Sequence, residues 1–315
     1  MFVCVIAPAT LVTLQIDSRP EFSPMDEVAH FDYLERVSKG ELPRHGEPML
    51  DSTLRELSCR GMVPEGQRYG PCRAEPPRHS DYAISLQYEA QQPPTYYALT
   101  LPARWLLQKL GVDDMLRASR LVGVAWLVAG LLLLWAAGRA MSIDPLPLGA
   151  GLLLLVVAPV VVYGTATVGN DATAVPAAGL VALVAALAYR RTLARPAFAL
   201  GLAGFAAGAG KATNVLAVAT VSALFALDSI ATREVAERWA ATGRRWLANG
   251  GALIAGGVLA AGIWTVVHRS LAVIDLTTDP SFADLRAQPR SADILLREGT
   301  EMLAPLTTLT GGFAV

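Results

Sequence analysis

The amino-acid sequence predicts an all-α protein, a polytopic bundle of about seven transmembrane helices whose long first extracytoplasmic loop contains juxtamembrane helices. Three observations predict this fold class. Apolar residues make up 53% of the 315 residues and charged residues only 17%, against about 25% charged residues in an average soluble domain. Apolar segments of helical length recur along the chain. A single long polar stretch, close to the N-terminus, interrupts them.

The chain begins with an apolar segment, residues 1–16, that predicts a first span. This segment is shorter than the roughly 20 residues that cross a bilayer as a helix. A misassigned start of the chain is one explanation. No basic region precedes the apolar residues, so the pattern is not that of a signal peptide.

Residues 17–118 predict an extracytoplasmic loop. Its polar part, residues 17–93, holds fourteen Asp and Glu against nine Lys and Arg, together with three of the four histidines. Cytoplasmic loops carry an excess of Lys and Arg instead. At the end of the loop, residues 94–110 combine three aromatic side chains with two basic ones. That mixture predicts an interfacial helix in the headgroup layer.

Residues 119–268 predict a bundle of six further spans. The basic connections 190–195 and 233–245 belong in the cytoplasm by the positive-inside rule, which also places the N-terminus inside. Both connections can lie inside only if the chain between them crosses twice, with a turn near Lys211. One long tilted span is the alternative. The apolar segments of the bundle are 119–138, 146–168, 172–189, 197–210, 212–227 and 250–267.

The pattern predicts a multi-pass protein of the plasma membrane that ends in an extracytoplasmic segment, residues 269–315. The last residues are apolar and rich in glycine, so we expect the natural chain to continue beyond Val315. The net charge is −1 at pH 7, and no dense basic block provides the electrostatic footprint of a nucleic-acid-binding protein. The expected partner is the lipid bilayer, and the oligomeric state stays open.

Cys59 and Cys72 lie close together in the polar loop. In an oxidising compartment such a pair predicts a disulfide. Two unpaired surface thiols are the alternative. The sequence contains no Cys-x-x-Cys pair, so a structural zinc site is not expected.

Three short pieces of sequence resemble a known family. Residues 24–31 read PMDEVAHF, residues 89–97 read EAQQPPTYY, and residues 169–172 read GNDA. In this order they resemble the GT-C superfamily of polytopic glycosyltransferases, in particular a group of largely uncharacterised bacterial membrane proteins of that type. The resemblance implies transfer of a sugar from a polyprenyl-phosphate carrier to a cell-envelope acceptor on the outer face of the membrane. The chain is short for that superfamily, whose members commonly have more spans.

Asp26 and Glu27 are the candidate catalytic residues. The resemblance implies that an acidic residue of the first outer loop acts as base, which corresponds to Asp26 with Glu27 as its neighbour. An inverting transfer needs a carboxylate that accepts the acceptor's hydroxyl proton while the phosphate leaves from the opposite face. Two adjacent carboxylates near a low-dielectric boundary raise each other's proton affinity. The structural alternative is a helix start, with Ser23 as N-cap and Asp26 in the first turn.

Nine further polar and aromatic residues are candidates for substrate binding. Amides and carboxylates can bind sugar hydroxyls, tyrosines can pack against a sugar or a lipid chain, and a lone lysine near the membrane can bind the carrier phosphate. Ordinary structural roles, such as helix caps, an aromatic belt and a snorkelling lysine, stay open for each of them. The candidates are His30, Glu89, Gln91, Gln92, Tyr96, Tyr97, Asn170, Asp171 and Lys211.

The cofactor stays open at this point. A divalent metal ion held by Asp26, Glu27 and His30 is one alternative.

Two competing functions stay open. One is a transporter or flippase of a lipid-linked substrate, and the other is a non-catalytic membrane scaffold.

Overall fold

The computed structural model describes residues 2–24, 26–62, 72, 86–231 and 236–273. Within these ranges the secondary-structure elements are helices. The described residues also form two isolated β-bridges but no β-strand. Three short 3-10 helices lie at Glu89–Gln91, Asn170–Thr173 and Ala212–Asn214. The α-helices are α1 (Phe2–Ser18), α2 (Glu27–Ser38), α3 (Asp51–Arg60), α4 (Thr95–Lys109), α5 (Met115–Ala140), α6 (Pro145–Val156), α7 (Pro159–Ala166), α8 (Ala174–Tyr189), α9 (Pro196–Gly210), α10 (Val215–Ala231) and α11 (Ala236–Leu271).

Apolar helices confirm the membrane character that the sequence predicts. In the described ranges, three helical stretches are long and apolar enough to cross a bilayer: Met115–Ala140, Asn170–Tyr189 and Ala248–Leu271. The bent pair α6 and α7 raises this number to four if it forms one span. Three apolar helices are shorter, at Cys4–Ser18, Pro196–Gly210 and Ala212–Leu224. The all-α bundle is therefore confirmed, whereas the count of seven spans stays a prediction.

The predicted span over residues 146–168 is broken into two helices. The axes of α6 and α7 meet at 61°. Proline explains the break, because Pro159 has no amide hydrogen and disfavours helical backbone in the residue before it. Ala158 accordingly has extended backbone, with φ −66° and ψ 122°.

Glycine allows α9 and α11 to approach each other closely. A Cβ atom on Gly204 would lie 2.0 Å from the carbonyl oxygen of Leu253, and one on Gly256 would lie 2.0 Å from that of Gly201. Small residues at helix crossings are typical of membrane bundles, where close backbone packing drives association. This contact fixes the position of α11 in the bundle.

The described part of the polar loop folds onto one end of the bundle, which we call the loop end. Helix α2 is buried along most of its length even though half of its residues are polar. Asp32, at its centre, accepts hydrogen bonds from Arg36 Nε (2.9 Å), Thr53 Oγ1 (3.0 Å), Gln87 Nε2 (2.9 Å) and the Leu50 amide (2.7 Å). Because buried polar groups are costly without partners, this network holds the loop together.

Two further contacts secure the loop. A disulfide joins Cys59, at the end of α3, to Cys72. Arg104 of α4 forms a buried ion pair with Glu35 of α2. The opposite side of α4 exposes Leu99, Trp105, Leu106 and Leu110, and Lys109 lies 5.5 Å from the ring of Trp105. These side chains give α4 the amphipathic character expected of an interfacial helix.

Candidate functional site

Asp26 is an exposed carboxylate at the start of α2. Its backbone is left-handed, with φ 63° and ψ 1°, a conformation that Asp and Asn adopt more readily than other side chains with a Cβ. Its side chain does not cap the helix. It accepts a hydrogen bond of 2.8 Å from the hydroxyl of Tyr88. The N-cap is thus Asp26 and not Ser23, and the Asp26 carboxylate is free to face solvent.

Glu27 has a different environment from its neighbour. Its side chain is fully buried and forms a bidentate ion pair with Arg120 of α5, at 2.7 and 2.6 Å. The backbone amides of Ser23 (2.7 Å) and Val168 (2.8 Å) donate to the same carboxylate. Each oxygen therefore accepts two hydrogen bonds. This carboxylate is saturated and ties the loop to α5 and to residue 168, an environment that favours a structural role for Glu27 over the predicted catalytic one.

Glu89 is a buried carboxylate with an unsatisfied oxygen. Its Oε2 atom has no hydrogen-bond partner among the described residues and lies 3.7 Å from Nε2 of His30. The other ring nitrogen of His30 shares a hydrogen bond of 2.6 Å with the hydroxyl of Tyr97. Burial, reinforced by the charge of Asp26, raises the pKa of Glu89 from 4.5 to about 7. Burial, together with the charge of Lys211, lowers the pKa of His30 from 6.5 to about 4.

Gln92 links Glu89 to Asn170. The Gln92 side chain hydrogen-bonds to the Glu89 carboxylate, and its Oε1 atom accepts from Asn170 Nδ2 at 2.9 Å. Asn170 is fully buried, and no described residue donates to its Oδ1 atom. We call these three residues the Glu89–Gln92–Asn170 row. Within the described part of the chain, two of its buried oxygens have no hydrogen-bond partner, which is uncommon in folded proteins and needs an explanation.

The backbone of this segment is held from two sides. Tyr33 of α2 donates to the carbonyl oxygen of Gln92 at 2.9 Å. Trp264 of α11 donates to the carbonyl oxygen of Gln91 at 2.8 Å. Gln91 is therefore held through its backbone carbonyl oxygen. Its side chain forms no hydrogen bond in the described ranges.

Tyr96 and Tyr97 are buried next to the site, where Tyr97 contacts His30 and Tyr96 contacts Gly169. Both rings are buried by protein. Tyr97 stacks on Tyr33 with ring centroids 3.8 Å apart, and the Tyr96 hydroxyl accepts from the Gly169 amide at 3.3 Å. Burial raises the pKa of both tyrosines, so their hydroxyls stay protonated at neutral pH. Packing against a sugar face was predicted for these rings, but their position beneath the site favours a supporting role.

Asp171 and Lys211 form an ion pair at the edge of the site. Nζ of Lys211 lies 2.5 Å from Oδ1 of Asp171. The Asp171 side chain is 61% exposed and that of Lys211 17%. Lys211 is thus not a lone charge within the apolar helices. A phosphate that bound Lys211 would have to compete with this carboxylate.

A cavity of about 290 Å³ lies beside the segment that leads to Asp26. Arg19 lines it, and no described residue forms an ion pair with its guanidinium group. Arg120, in contrast, is saturated by Glu27 and by the carbonyl oxygens of Arg19 and Glu21. The remaining wall is formed by Gln15, Glu21, Phe22, Ser23, Pro24, Arg120, Tyr163, Ala166 and Thr167.

The described residues do not fit the metal alternative. Within them, no group of three or more His, Cys, Asp or Glu side chains could hold a metal ion. Glu27 is occupied by Arg120, and the imidazole of His30 points to Tyr97 and Glu89. The three predicted ligands therefore do not converge on one point.

The structure brings together most of the residues that the sequence singled out, and it adds others. Tyr88, Arg19, Arg120 and Trp264 were not predicted. Arg120 carried a signal, since an ionisable residue inside an apolar span marks a buried partner or a functional site. Comparison of the chain with protein-family models, curated proteins and solved structures gives no match.

Proposed function

We propose that the protein is a membrane glycosyltransferase that moves a sugar from a polyprenyl-phosphate carrier to a cell-envelope acceptor on the outer face of the plasma membrane. One observation carries this proposal. An exposed carboxylate, Asp26, stands at the loop end of an apolar helix bundle, beside buried oxygens for which the described residues supply no hydrogen-bond partner. Such an arrangement suits a polar ligand that is delivered from the membrane.

The Glu89–Gln92–Asn170 row supports binding of a sugar. Neither Glu89 Oε2 nor Asn170 Oδ1 has a hydrogen-bond partner among the described residues, and a sugar hydroxyl, which both donates and accepts, can bond to each of them. A buried acceptor without a donor costs about 1 to 3 kcal/mol. Binding of a polyhydroxylated ligand would remove that cost, so the site is stabilised by the ligand that it selects.

Asp26 is the base of the proposed reaction. Its carboxylate accepts the proton of the acceptor hydroxyl as that oxygen forms a bond to C1 of the sugar. The bond between C1 and the carrier phosphate breaks at the same time, and its electron pair leaves with the phosphate. The hydrogen bond from Tyr88 orients the Asp26 carboxylate. Water then removes the proton from Asp26.

Arg19 is the group best suited to the leaving phosphate. Arg19 lines the cavity together with Ser23 and Pro24, and Pro24 lies two residues before Asp26. Arginine binds phosphate through parallel hydrogen bonds. The Arg19 cavity thus replaces Lys211, which is neutralised by Asp171, as the preferred phosphate site.

The proposal includes seven spans with the N-terminus in the cytoplasm. Three long helical stretches, one bent pair and three shorter apolar helices would supply them. The topology is tested with cysteines at the exposed positions Arg55 and Ala194, because Cys4 is buried and Cys59 and Cys72 are bonded to each other. We expect a membrane-impermeant maleimide to label R55C in intact cells and A194C only after lysis. The reverse pattern contradicts the topology.

Replacing Asp26 by asparagine tests the reaction. In a deletion strain we expect Asp26→Asn to leave the polyprenyl-linked sugar unconsumed, measured by mass spectrometry of the lipid extract. Asp113→Asn is the matched control, because Asp113 is an exposed aspartate of the same loop that forms no ion pair or hydrogen bond in the described ranges. Normal consumption by Asp26→Asn at equal protein levels would overturn the proposal and favour a flippase or a scaffold.

A further inference from the structure

The Glu89–Gln92–Asn170 row carries information about the kind of sugar that fits it. Its chemistry differs from that of an ordinary carboxylate site, because the charge of Asp26 acts on Glu89 and no described lysine or arginine forms an ion pair with it. The groups that act electrostatically on Glu89 are Asp26, Asp171 and Lys211. Lys211 is already paired with Asp171.

His30 does not supply the missing positive charge. Its imidazole is buried and lies 3.7 Å from Glu89 Oε2, beyond hydrogen-bond distance. Its Nδ1 atom is engaged by Tyr97. Burial lowers the pKa of His30 to about 4, so the ring is neutral in neutral solution. The tyrosines that face Glu89 are Tyr33, Tyr88 and Tyr97. Burial raises their pKa values, so they too are uncharged in neutral solution.

We propose that the row is a subsite for a neutral sugar hydroxyl, which accepts a hydrogen bond from protonated Glu89 and donates one to Asn170 Oδ1, and that it rejects anionic sugars such as uronates. This inference rests on the proposed function, of which it specifies the sugar class. A hydroxyl group is both donor and acceptor, so it matches a protonated carboxyl on one side and an amide oxygen on the other. A carboxylate of the ligand has no hydrogen to give to Asn170 and is repelled by Asp26.

The burial of Glu89 supports the protonated form. A buried carboxylate without a cation partner takes up a proton instead of ionising. The pKa of Glu89 is raised to about 7, so the group is largely protonated just below neutral pH. The unsatisfied Oε2 atom can then carry the hydrogen that the ligand accepts.

Binding of simple glycosides to the purified full-length protein in lipid nanodiscs tests the inference without turnover. The probes are methyl glucoside, methyl glucuronide and methyl glucosaminide, and the readout is tryptophan fluorescence. We expect the neutral glycoside to bind at millimolar concentration and the uronide not to bind. Raising the pH from about 6 to about 8 should weaken binding about tenfold, because the fraction of protein with protonated Glu89 falls by that factor.

Variants of the row separate this inference from a general loss of structure. In Glu89→Gln the amide donates a hydrogen bond at every pH, so we expect binding to persist and its pH dependence to disappear. Asn170→Ala removes the acceptor and should weaken binding of the neutral glycoside at all pH values. Asp113→Asn is the control and should retain the wild-type profile.

Three outcomes would overturn the inference. These are binding of the uronide as tight as that of the glucoside, a pH profile that Glu89→Gln leaves unchanged, and no binding of any glycoside by folded protein. The proposed transfer reaction is tested by Asp26→Asn in cells and can survive each of these results. Conversely, glycoside binding with normal sugar consumption by Asp26→Asn would leave the subsite intact and refute the transfer reaction.

Discussion

Removing Arg120 from its buried ion pair with Glu27 should be one of the most destabilising single substitutions in the fold. Replacing Arg120 with methionine removes both hydrogen bonds to Glu27, at 2.7 and 2.6 Å. It also leaves the carbonyl oxygens of Arg19 and Glu21 without their donor. Breaking a buried pair from one side costs about 3 to 5 kcal/mol, because the remaining charge is uncompensated.

We expect Arg120→Met to lower the free energy of unfolding by this amount. The measurement is equilibrium unfolding in mixed detergent micelles, followed by circular dichroism. Glu27→Gln combined with Arg120→Met should cost less than the sum of the two single variants, since the double variant leaves no buried charge. Arg117→Met is the matched control. It lies one turn away on α5, and its partner Asp17 is 47% exposed, so we expect a loss below about 1 kcal/mol.

A loss for Arg120→Met as small as that of the control would refute this reasoning. Strict additivity of Glu27→Gln and Arg120→Met would refute it as well. Either result would mean that the two side chains are not coupled in the folded protein, and that Glu27 does not have the structural role that its contacts favour.

Two further predictions concern stability. The pKa of Glu89 is higher in the folded protein, about 7, than its ordinary 4.5, so ionisation opposes folding and wild-type stability is lost as pH rises through this window. Relative to Glu89→Gln, the wild type should lose about 3 kcal/mol between acid and weakly alkaline pH, and parallel pH curves of unfolding would contradict this. Replacing Cys59 and Cys72 by serine opens a loop with a sequence separation of 13 and should cost about 3 kcal/mol. Reduction of the wild type should produce the same loss, and its absence would show that the bridge does not constrain the loop.

The sequence by itself determined the class of this protein. Apolar segments of helical length require helices, because a backbone in lipid must satisfy its own hydrogen bonds. The same local logic identified the polar loop, and a family resemblance pointed to the pieces around Asp26, Glu89 and Asn170. Composition and spacing are local properties, so they can be read without knowing which helices touch.

The tertiary structure alone decided what each acidic residue does. Asp26 and Glu27 are neighbours in the chain, yet one faces solvent and the other is saturated by Arg120, 93 residues away. Glu89 differs from Glu27 because its Oε2 atom has no hydrogen-bond partner among the described residues. The role of a carboxylate depends on burial and on the charges around it, and those are fixed by distant segments that pack together, which no local pattern encodes.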